Sequence, residues 1–168
     1  LRIADSLRQA IHDLRFQWGT NTMQIGASIG IVEINQHTES VATLLSADMA
    51  HATHPNHTGR HEPGHWVRLG GGPVIKHNVN QRYATDALGA AEFRRCCATV
   101  GVEVQEYSHR GDLPCGSTIG PLSSAQLAVR TVDVGMPQLS MHSARELMAV
   151  EDVGAMVAAF SAWLAGGS

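Results

Sequence analysis

From residue 74 onward, runs with the pattern of strands alternate with runs with the pattern of helices, and this alternation strongly constrains the fold. The strand-like runs cover residues 74–75, 102–107 and 130–135, and the helix-like runs cover residues 86–100, 122–127 and 153–164. Strands that alternate with helices are typical of α/β folds, in which helices cover a mixed sheet. A chain of 168 residues is long enough to bury the core of one such domain. We therefore predict an α/β sandwich whose strand-end loops carry the chemistry.

Residues 1–46 have a different pattern. Apolar residues at positions 3–14 recur with the period of an amphipathic helix, and residues 23–31 alternate as in a strand with one buried face. A helical pattern resumes over residues 39–47. The sequence therefore predicts an N-terminal helix–β-hairpin–helix segment, followed by a second domain over residues 47–168.

Two clusters of polar side chains contain residue types that bind metals. Asp48, His51 and His54 lie close together in the sequence, and His142 lies in a second cluster over residues 140–146. Carboxylates and neutral imidazoles are common zinc ligands. Site residues in α/β proteins collect where elements end. We expect the two clusters to meet in space at a metal site.

The chain has 10 histidines, and several of them fall between residues 51 and 65. On an unbroken helix their spacing would give one metal-binding face. The prolines and glycines among them exclude such a helix, because proline removes a backbone donor and clashes with the preceding turn. The tract is therefore predicted to be a loop, with His57, His61 and His65 as solvated side chains rather than ligands.

Two further loops leave alternatives open. Residues 76–83 are polar and follow a predicted strand, which suits either a substrate-facing loop or a solvated turn. Residues 111–121 are rich in glycine but lack the Gly-Lys-Ser/Thr ending of a phosphate-binding loop. This second loop suits a tight turn as well as a cradle for substrate.

Charge and cysteine usage limit the partners and the compartment. The formal net charge is −3, whereas nucleic-acid binding usually needs a basic surface. No apolar run approaches the roughly 18 residues of a membrane helix, and no secretory signal pattern is visible. The cysteines number 3, which suits a reducing cytoplasm better than a disulfide framework. We expect a soluble cytoplasmic protein without nucleic-acid or membrane partners, and the first residue, Leu1, favours a fragment.

Part of the N-terminal region resembles a known family. The strings IGASIGI over residues 25–31 and SVATLLSADMA over residues 40–50 resemble the C-terminal third of a diguanylate cyclase (GGDEF) domain. The signature loop that binds nucleotide in that family has no counterpart here, so no cyclase activity is expected. The resemblance implies a GGDEF-like fragment over residues 1–46 and a chimeric chain joined near residues 46–50.

A second resemblance covers residues 46–165 and rests on five ordered motifs. They are ADMAHATHPN (residues 47–56), GPVIK (72–76), QRYAT (81–85), DLPCGSTIGP (112–121) and QLSMHSARE (138–146). Together they resemble the C-terminal part of the catalytic domain in the aspartyl aminopeptidase family. The resemblance implies part of a three-layer sandwich of the zinc-exopeptidase type. It also implies a cytoplasmic di-zinc exopeptidase that removes N-terminal acidic residues from peptides and assembles as a homo-oligomer.

The same resemblance assigns roles to individual residues. Asp48 would bind one zinc and His142 the other, and the two metals would activate water and clamp the tetrahedral intermediate. The positions that would contact the substrate are His51, Lys76, Tyr83 and Met141. An ammonium at Lys76 suits the carboxylate of an acidic substrate.

The family takes its other zinc ligands and a pair of adjacent glutamates from upstream sequence. Residues 1–46 contain neither a Glu-Glu pair nor a His-x-Asp motif. No catalytic residue is therefore identified, and each zinc would keep one ligand where catalytic zinc normally has three. We expect an incomplete or inactive metallo-aminopeptidase in which Asp48 and His142 lie near each other without a complete metal shell. The alternatives are a non-enzymatic chimeric α/β module and a cyclase fragment.

Overall fold

The computed structural model describes residue 9 and residues 15–18, 21–24 and 43–166. The chain forms two compact units, Leu1–Ser40 and Val41–Ser168. Residue 9, which is helical, is the one described position of the helix predicted over residues 3–14, and most of the strand predicted over residues 23–31 lies outside the described residues. The predicted division between residues 46 and 47 stays a prediction.

The first unit contains a β-hairpin. Strand β1 (Arg15–Trp18) pairs with strand β2 (Asn21–Gln24) in antiparallel register, with Arg15 opposite Gln24 and Trp18 opposite Asn21. The predicted hairpin is therefore present, although its paired strands begin earlier than the predicted strand.

The second unit contains six strands and three α-helices among the described residues. The strands are β3 (Leu44–Ala47), β4 (Ala50–His51), β5 (Val74–His77), β6 (Gln105–Ser108), β7 (Thr131–Gly135) and β8 (Pro137–Gln138). The helices are α1 (Ala87–Thr99), α2 (Gly120–Leu127) and α3 (Val150–Leu164), with a 3₁₀ helix over Pro55–Arg60. A four-stranded sheet has the order β3-β7-β5-β6, and β4 pairs with β8 in a separate two-stranded sheet.

The main sheet is mixed. Strand β7 runs parallel to β3 and antiparallel to β5, while β5 runs parallel to β6. All five residues of β7 are buried, as expected for an interior strand. The predicted α/β fold with helices and a mixed sheet is confirmed.

The helix predicted over residues 39–47 is wrong in its described part, because Leu44–Ala47 is strand β3. Parallel pairing gives this segment its backbone partners: Leu44 N donates to Arg130 O at 2.8 Å, and Asp48 N donates to Val134 O at 3.0 Å. Local helical periodicity is a weak preference that tertiary pairing overrides. The chain therefore enters the predicted site from a strand rather than from a helix.

The hydrophobic core lies between the main sheet and two helices. Phe93 of α1 is fully buried, and its ring lies 6.0 Å from that of Trp163 in α3. These helices pack with the sheet residues Ile75, Val132 and Val134. The packed core accounts for both helices, because an amphipathic helix is stabilised mainly by the face that it buries.

The three predicted helices are present, and α3 begins at Val150, one turn earlier than expected. Asp86 begins α1 as its N-cap, accepting a hydrogen bond from Gly89 N at 2.7 Å. The strand predicted over residues 102–107 is present as β6, but it begins later, at Gln105, and ends at Ser108. Within the described part of the chain, no helix is long and apolar enough to cross a membrane.

Candidate functional site

Asp48 lies in the short connection between β3 and β4. Its side chain is exposed, and its Oδ1 accepts a hydrogen bond from Met49 N at 2.8 Å. A Cβ atom on Gly135 would lie 1.9 Å from Asp48 O, so only glycine permits this approach of β7. The end of β7 thus fixes the backbone that presents the Asp48 carboxylate.

Pairing of β4 with β8 brings the two predicted clusters to neighbouring strands. His51 is opposite Gln138, and Ala52 N donates to Gln138 O at 2.9 Å. Past β8 the chain turns sharply, with left-handed φ angles of 56° at Ser140 and 67° at His142. His142, in this turn, lies close enough to His51 to affect it electrostatically.

The environment of His51 favours its neutral form. Burial lowers the pKa of His51, and the charge that His142 carries when protonated lowers it further. His142 is exposed, and its backbone N–H donates to Glu146 Oε1 at 2.6 Å. The His51 side chain remains exposed at the surface, so the neutral imidazole that its lowered pKa favours is accessible for a hydrogen-bonding or ligand role. The proximity of Asp48 to His142 stays a prediction.

Lys76 is the only lysine in the chain, and its side chain is 1% exposed. Its Nζ donates to the carbonyl oxygens of Asp48 and Met49, both at 3.3 Å. Burial lowers the pKa of Lys76, whereas the carboxylates of Asp48 and Asp133 oppose that shift. An ammonium has three N–H donors, so one remains for a further acceptor beside Asp48.

Tyr83 packs beside this lysine. Lys76 Nζ lies 5.3 Å from the centre of the Tyr83 ring, and the Cys115 thiol donates to Tyr83 Oη at 3.6 Å. Burial raises the pKa of the Tyr83 phenol, with a further contribution from the hydrogen bond to Cys115. Tyr83 therefore stays protonated at neutral pH and can donate a hydrogen bond.

The histidine tract does not form a ligand group within the described residues. His57 and His65 are exposed, as predicted. His61 corrects the prediction: it is 5% exposed, and its ring meets that of Tyr107 at 5.0 Å. His61 Nδ1 lies 3.2 Å from the His65 carbonyl oxygen and 3.3 Å from the Thr53 hydroxyl, so the ring is held by polar contacts as well as by packing. His61 is therefore a packed, hydrogen-bonded histidine, which the spacing of the tract did not reveal.

The glycine-rich loop lies against the Tyr83 segment. Ser117 Oγ donates to Arg82 O at 3.0 Å, and Thr118 Oγ1 donates to Asp133 Oδ1 at 2.7 Å. Asp133 was missed from the sequence. Its signal was a carboxylate inside an otherwise apolar strand, a position that needs hydrogen-bond partners.

Zinc fits the types of donor at Asp48 and His142, but not their number. Among the residues that the structure describes, no three histidine, cysteine, aspartate or glutamate side chains are placed to hold one metal ion. Catalytic zinc normally has three protein ligands. The described residues alone therefore do not complete a zinc site.

Comparison with known proteins gives one family over most of the chain. The family model described as "Aminopeptidase I zinc metalloprotease (M18)" matches residues 22–164. The "Probable M18 family aminopeptidase 2" of Mycobacterium tuberculosis is 57% identical over 125 residues, covering 74% of this chain and 29% of the relative. The "Probable aspartyl aminopeptidase" of Ricinus communis is 54% identical over 110 residues, covering 66% of this chain and 22% of the relative.

Solved structures agree with this match. The cryo-EM structure of the Ape4 and Nbr1 complex gives a TM-score of 0.70 at 45% identity, covering 72% of this chain and 23% of that chain. The S. cerevisiae mApe1 dodecamer gives 0.64 at 32% identity, covering 73% and 26%. The chain thus spans about 29% of the length of the curated M. tuberculosis relative.

Proposed function

The chain belongs to the M18 family of zinc metallo-aminopeptidases, and we propose that it supplies one edge of the active site in an enzyme that removes N-terminal aspartate or glutamate from peptides. In this proposal Asp48 and His142 donate to zinc, together with ligands from outside the described residues. His51, Lys76, Tyr83 and Met141 face the substrate. Two zinc ions per site, as the aspartyl aminopeptidase resemblance implies, remain part of the proposal.

The observation that carries the proposal is the placement of Lys76. A single buried lysine directs its ammonium to the backbone of Asp48, the proposed zinc ligand. Desolvating an ammonium costs free energy unless it is paired. The carboxylate of an N-terminal acidic residue would complete that pairing, and the Tyr83 phenol could donate to it. A positive pocket beside the metal edge favours acidic over neutral side chains.

The alternatives are less well supported. The family model begins at residue 22, inside the region that resembles diguanylate cyclases, so the match gives no support to a chimeric or GGDEF-like segment. A non-enzymatic module would also leave the buried Lys76 without an explanation. We further propose that the protein forms a homo-oligomer, because a related solved structure is a dodecamer. We also propose that it is located in the cytoplasm.

Calorimetric titration with aspartyl-alanine and with its neutral isostere asparaginyl-alanine tests the proposed specificity. We expect aspartyl-alanine to bind at least about tenfold more tightly, because a hydrogen bond to a charged group contributes about 1.5–3 kcal/mol. The dipeptides share a backbone and both termini, so their difference isolates the side-chain carboxylate. Equal affinities, or no binding of either dipeptide, would contradict the proposal.

A further inference from the structure

Asp133 is a fully buried carboxylate in the middle of strand β7, at 0% exposure. Oδ1 accepts hydrogen bonds from Ser46 Oγ at 2.6 Å and from Thr118 Oγ1 at 2.7 Å. Oδ2 accepts a hydrogen bond from Ala84 N at 2.6 Å. All three donors are neutral and their bonds are short. The partners of this buried side chain are therefore hydroxyl and amide donors from the protein itself.

The three donors come from three separate segments, and each segment leads to a proposed site group. Ser46 lies in β3, two residues before Asp48. Ala84 follows Tyr83, and Thr118 lies in the glycine-rich loop whose Cys115 thiol contacts Tyr83 Oη. Asp133 thus joins strand β3, which leads to Asp48, to the Tyr83 segment and to the glycine-rich loop.

Two other contacts link this part of β7 to its neighbours, one through the carboxylate and one through the backbone. A Cβ atom on Gly120 would lie 2.4 Å from both carboxylate oxygens of Asp133, so the loop approaches closely only because residue 120 is glycine. Asp133 N also donates to Thr85 Oγ1 at 2.9 Å, which adds a second bond to the Tyr83 segment. Core filling alone would not require a charged group here.

We propose that Asp133 is a positioning residue, which holds Tyr83 and the glycine-rich loop in register with the strand that leads to Asp48. Its role in substrate binding rests on the proposed function. Its role in positioning the loop does not, so the two can be tested separately.

Asp133→Asn is the test variant, because asparagine keeps the shape of the side chain but replaces one accepting oxygen with an NH₂ group. That NH₂ group cannot accept a hydrogen bond from the Ser46 and Thr118 hydroxyls or from the Ala84 N–H. Asp152→Asn is the matched control. Asp152 is also a buried carboxylate, at 1% exposure, and accepts bonds from Gly70 N at 2.8 Å and Gly72 N at 2.9 Å. The control therefore loses similar bonds in a different part of the unit.

The first readout is the rate at which the disulfide reagent dithiobis(nitrobenzoate) modifies each thiol. Peptide mapping assigns the modification to individual cysteines. Cys115 is half-buried beside Tyr83, whereas Cys96 and Cys97 are buried in α1. In Asp133→Asn we expect Cys115 to react about tenfold faster while Cys96 and Cys97 stay protected, since the lost loop bond is local. General loosening of the fold would expose all three thiols.

The second readout is affinity for aspartyl-alanine, which we expect to fall about tenfold in Asp133→Asn and to stay unchanged in Asp152→Asn. An unchanged Cys115 rate in Asp133→Asn, or an equal effect in the control, would overturn the positioning role. A faster Cys115 with unchanged peptide affinity would confine Asp133 to the loop and overturn its role in the site. If the native chain does not bind aspartyl-alanine, the proposed function fails, and the Cys115 rate still decides whether Asp133 positions the loop.

Discussion

Replacing Lys76 with methionine is expected to remove the preference for acidic peptides and to leave the fold intact. The ammonium is the only lysine charge in the chain, and its two hydrogen bonds end on carbonyl groups beside Asp48. Methionine is similar in length and apolar, so it can occupy the buried stem without an unpaired charge. We expect affinity for aspartyl-alanine to fall about a hundredfold, because a hydrogen bond between charged groups contributes up to about 3 kcal/mol.

The matched measurement is affinity for asparaginyl-alanine, which should change little in Lys76→Met. His77→Gln is a control variant, since His77 is the next residue and bonds Glu106 instead of the site. An equal loss for both dipeptides would show that Lys76 supports the fold rather than selects the side chain.

Burial lowers the pKa of Lys76. In the native chain the preference for aspartyl-alanine over asparaginyl-alanine should therefore weaken as the pH rises. This loss should occur at a pH below the ordinary pKa of a lysine side chain, because the neutral amine no longer attracts a carboxylate.

Phe93→Ala should cause the largest loss of stability in the second unit. Phe93 is 0% exposed and lies between the main sheet and α3, in contact with the ring of Trp163. Truncating a buried phenylalanine to alanine typically costs about 3–5 kcal/mol, because apolar contacts are lost and a cavity remains. Urea unfolding followed by far-ultraviolet circular dichroism measures the change.

Leu122→Ala is the surface control for this substitution. Leu122 lies on α2 with 66% of its surface exposed, so its truncation should change the free energy of unfolding by less than about 0.5 kcal/mol. A loss below about 1 kcal/mol in Phe93→Ala would mean that α1 does not pack on the sheet as described.

The parts of the fold that the sequence predicted are those with a strong local signal. Helix α1 has a capping Asp86 and a long periodic run, and β7 is a short run whose alternating valines favour a buried strand. Strand β3 has no such signal. Its Leu44 and Leu45 fit one helical face equally well, and only pairing with the distant β7 makes this segment a strand.

The candidate site shows the same division. Asp48, Lys76 and His142 were predicted as site residues because their residue types and motifs suggested the chemistry, and their roles stay predictions. Asp133 was not found, because a carboxylate with three hydrogen-bond donors from distant segments is visible only after the chain has folded. His61 was placed in solvent for a related reason: its burial depends on β6 and Tyr107, about fifty residues away, which loop composition does not encode.

Zinc titration of the native chain, Asp48→Asn and His142→Ala tests the central claim most directly, with His57→Ala as a control for the exposed histidines. We expect the native chain to bind zinc weakly, because Asp48 and His142 would each supply one ligand to a different zinc ion, and no three described side chains are placed to hold one metal. Both site variants should weaken this binding by at least about a hundredfold, since even a partner outside the ligand shell is typically worth about 10–100-fold. The His57→Ala isotherm should match that of the native chain. Unchanged zinc binding in both site variants, or its loss in His57→Ala, would place the metal in the histidine tract and contradict the proposed active-site edge.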